Sequence, residues 1–165
     1  MTQAKRLARI EVAKQAMNFS AAHFTIFNST QRENLHGHNF QVSCAITAPI
    51  DESGIMFDYS IIKARIRQIC EELDEKTILP EKSPYLSVSI EEGYMVARFN
   101  GESMPFLARD VITLPIANTT VEEFSQYFLA RLLNDIELTG RDIEKMVVTV
   151  ASSPGQSGSA DWSST

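Results

Sequence analysis

The chain has 165 residues with 15 Lys and Arg against 21 Asp and Glu, a formal net charge of -6. That length suits one domain burying about two thirds of its unfolded surface, and the acidic balance argues against general nucleic-acid binding while leaving room for a local basic pocket for an anionic substrate. No apolar run approaches the ~18 residues a bilayer requires, and Met1 to Arg9 carries Lys5, Arg6 and Arg9 with no apolar core after them, so no membrane span and no signal peptide are expected, and the cytoplasm is the default.

From Arg9 to His23, the residues Ile10, Val12, Ala16, Met17, Phe19 and Ala21 alternate imperfectly, which predicts one long strand with a bulge or bend near Ala16. A cleaner strand follows. Phe40, Val42, Cys44 and Ile46 alternate with Gln41, Ser43 and Ala45, and parity places His36 and His38 on the same apolar face, at the buried end of that strand. Pro49 to Gly54 reads as a turn. Asp58 is expected to cap a helix running to about Leu73, with Ile62, Ile66, Ile69, Cys70 and Leu73 inside and Lys63, Arg65, Arg67 and Glu71 facing water.

Between Pro80 and Pro115 the chain turns irregular. Tyr94 to Phe99, the pair Asn100-Gly101 and Ser103 to Leu107 predict a β-hairpin, and residues 81–117 are expected to be an insertion in a single domain spanning 1–165. Asn118-Thr119-Thr120 followed by Glu122 and Glu123 opens a second helix, with Val121, Phe124, Phe128, Leu132 and Ile136 inside and Gly140 at its end. A last strand, Lys145 to Ala151, runs into a Ser/Gly-rich end that is short strand, loop or partly frayed. Cys44 and Cys70 fit reduced thiols within a strand and a helix. The resulting pattern is α+β, two helices on one face of an antiparallel sheet, whose open edges oligomerisation into a closed barrel would remove.

All three histidines fall in one array, His23, then His36-Gly37-His38. Residues two apart on an extended chain point to the same side, and three neutral imidazoles are a common way to hold a catalytic zinc with one coordination position open. His23 would come from a neighbouring strand.

Phe19-Ser20-Ala21-Ala22-His23, Leu35-His36-Gly37-His38-Asn39-Phe40, the turn from Asp51 to Asp58, Leu73-Asp74 and Thr120-Val121-Glu122, taken in order, resemble the 6-pyruvoyl-tetrahydropterin synthase family, which includes the 6-carboxy-tetrahydropterin synthases of queuosine and deazapurine synthesis. The resemblance implies a tunnelling (T-fold) subunit, a homohexamer of two trimers forming a barrel, active sites at subunit interfaces and one Zn2+ per subunit on His23, His36 and His38. It implies a pterin substrate, dihydroneopterin triphosphate or a relative, converted by side-chain elimination or cleavage to a 6-substituted pterin, for folate or queuosine synthesis. Thr120 and Glu122 would lie at the substrate.

The sequence also departs from that pattern. No cysteine precedes His36. Glu33 stands there instead, in an E-x-L-H-G-H pattern that resembles a subgroup associated with cleavage to 6-hydroxymethyl-dihydropterin. Glu33 and Asp74 are then the candidate catalytic residues, and a glutamate serving as base near neutrality would need its pKa raised by burial. Glu75 takes the place of the family's histidine after Asp74. Ser152 takes the place of the glutamate that grips the pterin edge, and a hydroxyl cannot make that paired, charge-assisted contact. Two readings therefore stand: a zinc-dependent pterin lyase, or a zinc-retaining T-fold paralogue that binds a pterin- or purine-like ligand, or a partner protein, without the ancestral turnover.

Overall fold

The structure, a computed structural model, describes residues 5–165; the absence of a signal peptide between Met1 and Arg9 is an expectation that falls partly outside them. Numbered in chain order, the strands are β1 (Leu7–Val12), β2 (Asn18–His23), β3 (His36–Pro49), β4 (Lys76–Pro80), β5 (Ser87–Glu91), β6 (Tyr94–Phe99), β7 (Glu102–Leu107), β8 (Val111–Leu114), β9 (Lys145–Ser153) and β10 (Gln156–Ser163). The helices are α1 (Ser60–Leu73) and α2 (Val121–Leu133).

The long β3 is the spine of a seven-stranded sheet. One edge pairs antiparallel with both β1 and β2. The other pairs antiparallel with β9, which in turn pairs with β10. The expected single strand from Arg9 to His23 is thus two. Val12 lies opposite Cys44 and Asn18 opposite Gln41, so residues 13–17 stand against only 42 and 43, and Met17 turns back to donate its N–H to the Lys14 carbonyl at 2.9 Å. A bend at Ala16 was expected; so large an excursion was not.

The sheet is mixed, because β4 runs parallel to β2 and β8 parallel to β4. These two short strands lie in stretches without two-residue alternation, which is why periodicity missed them. The hairpin predicted over 94–107 is present as β6 and β7. Its Asn100 and Gly101 have φ of 48° and 79°, the positive values that a two-residue hairpin turn demands. An unexpected third strand, β5, pairs with β6 and completes a separate antiparallel sheet.

The buried face of α1 is the one its periodicity indicates, Ile62, Ile66, Ile69, Cys70 and Leu73. Its start is shifted: Tyr59 is the N-cap, and Asp58 accepts a hydrogen bond from the Ser60 N–H at 3.0 Å. In α2, Thr120 caps the helix by accepting from Glu123 N–H. This helix ends earlier than expected, because Asn134 closes it with its side-chain amide on the Ala130 carbonyl at 2.9 Å. Ile136 is consequently 86% exposed rather than inside. Gly140, with φ of 85°, belongs to a later turn.

Both helices pack on one face of the large sheet over a single apolar core. At its centre Phe19, Phe40, Phe124 and Phe128 touch ring to ring, with Phe19 and Phe40 stacked 4.9 Å apart and Phe40 edge-on to Phe124 at 5.0 Å. A smaller core, Phe24, Ile26, Leu79, Leu86, Ala97, Phe99 and Val111, joins the three-stranded sheet to the main one. Cys44 and Cys70 are free and buried, and burial pushes each thiol up to about 12. Among the described residues no helix is long and apolar enough to cross a membrane.

Gly158 on β10 shows how tightly α2 is seated. A Cβ there would lie 2.9 Å from the Glu122 backbone nitrogen and 3.0 Å from the Val121 carbonyl carbon. Gly158→Ala should therefore cost about 1–3 kcal/mol, as overpacking does, and lower the Tm by roughly 2–12 °C for a chain of this size. An unchanged Tm in a thermal melt would show that α2 does not rest on β10 this closely.

Candidate metal centre

The register of β2 against β3 builds the site. His23 lies directly opposite His36, and Ala21 opposite His38. All three imidazoles therefore project from the face that carries Phe19 and Phe40, at the end of the aromatic core. One ligand atom from each ring lies within 4.8 Å of the others, with ring centroids 4.6, 4.9 and 5.4 Å apart. His23 and His38 also pack against the Phe40 ring at 5.2 and 5.6 Å. Of the three, only His23 is buried, at 5% exposure. His36 and His38 are half-buried rather than fully inside as parity suggested, and the cluster is open on one side.

Hydrogen bonds fix which nitrogens are available. His23 Nδ1 is 2.7 Å from the Thr119 carbonyl and His36 Nδ1 is 2.8 Å from the Asn34 carbonyl. A carbonyl only accepts, so both Nδ1 atoms carry the hydrogen and both Nε2 atoms present lone pairs. The His23 Nε2 is buried with no hydrogen-bond partner. Leaving such an acceptor unsatisfied costs about 1–3 kcal/mol, a cost that a cation at the cluster removes. Burial above all, with the neighbouring His36 and His38, lowers the His23 pKa although the Thr119 carbonyl opposes the shift, so His23 stays in its neutral, ligating form. Three imidazoles, two of them oriented by backbone carbonyls, fit a tetrahedral zinc with one open position.

Glu33 stands beside this cluster, its Oε2 4.0 Å from His36 Nε2. It is held by Thr25, whose N–H donates to Glu33 Oε2 at 2.9 Å while Glu33 N–H donates to the Thr25 carbonyl at 2.9 Å. The raised pKa that an efficient base near neutrality would need is not found. Burial does push upward, but the Thr25 N–H and hydroxyl and then His36 and His23 outweigh it, and the carboxyl is held below its ordinary value. Glu33 is thus an ionised acceptor near neutrality.

Thr120 is the N-cap of α2, one residue beyond the Thr119 carbonyl that orients His23. Glu122 is exposed in the first turn of α2, directly over Gly158. Asp74 is not part of the histidine cluster. It caps the strand side of α1, accepting from the Ser20 N–H at 2.7 Å, while Glu75, with φ of 57°, donates its N–H to the Ser20 carbonyl at 2.8 Å. Glu75 lines an open cleft of about 510 Å³ with Ser20, Gly37, His38, Asn39 and Lys76. Ser152 is buried on β9, at the irregularity where β9 and β10 slip in register.

Motif reading missed the supports. Asn118 pairs its side-chain amide with both backbone groups of Ile26, at 3.0 and 2.8 Å, and the Thr119 hydroxyl donates to the Phe24 carbonyl at 2.8 Å. These bonds stitch the residues before α2 to those after His23. Thr119 orients His23 through a carbonyl that any residue possesses, so its identity gave no signal.

The family model described as 6-pyruvoyl tetrahydropterin synthase matches residues 11–161. The chain is similar to the 6-pyruvoyl tetrahydropterin synthase of Plasmodium vivax, whose crystal structure it matches at 31% identity and a TM-score of 0.88 over 96% of this chain and 99% of that one. Two further structures of that protein are variants in which a glutamate, described as a catalytic residue, is replaced by alanine or by cysteine. The Plasmodium falciparum 6-pyruvoyl tetrahydropterin synthase matches equally, at 31% identity and a TM-score of 0.88 over 95% of this chain and 98% of that one. A Methanocaldococcus jannaschii protein, provisionally named 6-carboxy-5,6,7,8-tetrahydropterin synthase, is 27% identical over 125 residues, 75% of this chain and 76% of that protein.

Proposed function

The chain belongs to the 6-pyruvoyl tetrahydropterin synthase family, and from that premise we propose that it is a zinc-dependent lyase acting on dihydroneopterin triphosphate or a closely related pterin. The observation that carries this reading is the open cluster of His23, His36 and His38, with the unpartnered Nε2 of His23, beside the ionised carboxylate of Glu33. Zinc bound there would lower the pKa of a coordinated side-chain hydroxyl and stabilise the enolate-like charge left when an adjacent proton departs.

Glu33 is the general base, a weaker one than a carboxylate raised by burial would be, because its pKa is held below the ordinary value; its carboxylate accepts that proton and returns it as the side chain is eliminated or cleaved. The variants of a catalytic glutamate in the P. vivax protein support this role. Thr120 and Glu122 flank the ligand at the start of α2. Asp74, which is not part of the histidine cluster of its own chain, acts on the site of a neighbouring copy. That requires an assembly in which the edge strands β8 and β10 are covered, and we assign a homohexamer of two trimers closing a barrel. The two free, buried thiols fit work in the cytoplasm. Within a single domain spanning 1–165, the insertion expected at 81–117 carries the three-stranded sheet, although β8 in the same stretch pairs with β4 in the main sheet.

A second reading, a zinc-retaining paralogue without turnover, draws on Ser152 and Glu75 standing where the family pattern has a glutamate and a histidine. Incubation with dihydroneopterin triphosphate and chromatography of the products separates the two. A 6-substituted pterin is expected, with 6-hydroxymethyl-dihydropterin marking cleavage and release of triphosphate marking elimination. Tight binding with the substrate recovered intact would establish the paralogue instead.

A further inference from the structure

Arg32 sits where a guanidinium is hard to explain by packing alone. Its side chain is only 19% exposed and lies between two rings of the smaller core, with Cζ 4.9 Å from the Phe24 centroid and 5.8 Å from that of Phe99. Its Nε is buried without a partner. A methionine would fill this space without desolvating a charge. The cation does make two directional contacts. Nη1 donates to the Glu33 carbonyl at 2.8 Å, and Nη2 lies 3.7 Å from the Glu102 carboxylate on β7.

These contacts complete a clamp on one residue. The Glu33 N–H is taken by the Thr25 carbonyl, its carboxylate by the Thr25 N–H, and its own carbonyl by Arg32. Arg32 is itself bridged through its backbone to Ile26 and backed by Phe99, the last residue of β6. The three-stranded sheet thus braces the segment that presents the carboxylate to His36.

We propose that Arg32 is a positioning residue for Glu33, linking the three-stranded sheet to the catalytic base and fixing the carboxylate beside the histidine cluster. The proposal rests on the reading of Glu33 as the base. It has consequences that a core-filling arginine would not have, because everything Arg32 contributes to rate passes through the Glu33 side chain.

The test uses the full-length, zinc-loaded protein with dihydroneopterin triphosphate, and the variants Arg32→Met, Glu33→Gln and the two combined. Arg32→Met keeps the apolar stem and should lower kcat about 10- to 100-fold, as expected for a misplaced catalytic group, with KM changed less than about threefold and zinc content unchanged. The double variant should be no slower than Glu33→Gln alone. A rate for Arg32→Met within about twofold of wild type while Glu33→Gln is inactive overturns the role of Arg32 and leaves that of Glu33 standing. A wild-type rate in Glu33→Gln overturns the reading of the base. Multiplicative losses in the double variant reveal a general structural role and also overturn the proposal.

Amide hydrogen exchange decides the positioning claim without any turnover. In Arg32→Met the Glu33 amide should lose protection about tenfold or more while α1 and β9 keep theirs, and unchanged protection refutes the clamp. Should Arg32→Met fail to fold, Glu102→Gln removes only the exposed end of the linkage. It should lower kcat about two- to fivefold, the scale of a partly exposed ion pair, with the same local loss of protection; no change in either measurement refutes the proposal.

Discussion

Purified without chelator, the chain is expected to carry about one zinc per subunit by elemental analysis, and His23→Ala is expected to carry less than about a tenth of that. The substitution removes the one imidazole whose lone pair is buried and unpartnered, and with it the bond to the Thr119 carbonyl that aims the ring. Loss of an outer-shell partner alone typically costs 10- to 100-fold in metal affinity, and loss of a ligand should cost more. Stability gives a second readout. A metal that binds only the folded chain stabilises it by about 2.7 kcal/mol at a hundredfold excess over its Kd, so chelator should lower the wild-type Tm by roughly 5–10 °C and leave that of His23→Ala unmoved. Stoichiometric zinc in His23→Ala would remove this residue from the ligand set.

The parts of the fold that could be read in the sequence are those where a local pattern decides a local event. The alternation Phe40, Val42, Cys44, Ile46 specified both the buried face of β3 and the side on which His36 and His38 emerge. The spacing from Ile62 to Leu73 specified the buried face of α1, and Asn100-Gly101 specified the hairpin turn. What escaped depends on long-range pairing. The parallel strands β4 and β8 acquire their identity only when docked beside β2, and β5 only when docked on β6. Ile136 has helical spacing, but Asn134 ends the helix before it, and a cap of that kind competes with periodicity without leaving a pattern.

The same division runs through the candidate site. The three histidines are side chains with a recognisable spacing, and they converge because the register pairs His23 with His36. Their orientation comes from the carbonyls of Thr119 and Asn34, which sequence does not encode in residue type. Glu33 was legible as a carboxylate three residues before His36, and it lies 4.0 Å from that ring, but the direction of its pKa shift was not legible. That direction depends on Thr25, eight residues earlier, folding back so that its N–H donates to the carboxylate, whereas burial alone would push the other way.

Glu33→Gln should lower kcat by about 10²- to 10⁴-fold, the range in which general bases contribute, while zinc stoichiometry and Tm stay near wild type. The amide is nearly isosteric, and its oxygen can still accept the Thr25 N–H, so the loop retains its conformation. What disappears is the negative charge next to His36 and the capacity to take a proton. A loss confined to kcat with KM little changed would mean that the carboxylate acts in the transition state rather than in holding the substrate. Glu33→Asp refines the point, since it keeps the charge but withdraws it by one methylene. It should recover part of the rate only if the proton passes directly to the carboxylate, because direct transfer demands hydrogen-bond reach. An electrostatic role alone would tolerate the shift, and Glu33→Asp would then approach wild-type turnover. Full activity in Glu33→Gln would move the base to another residue, and the carboxylate of Asp74 from a neighbouring copy would be the next candidate.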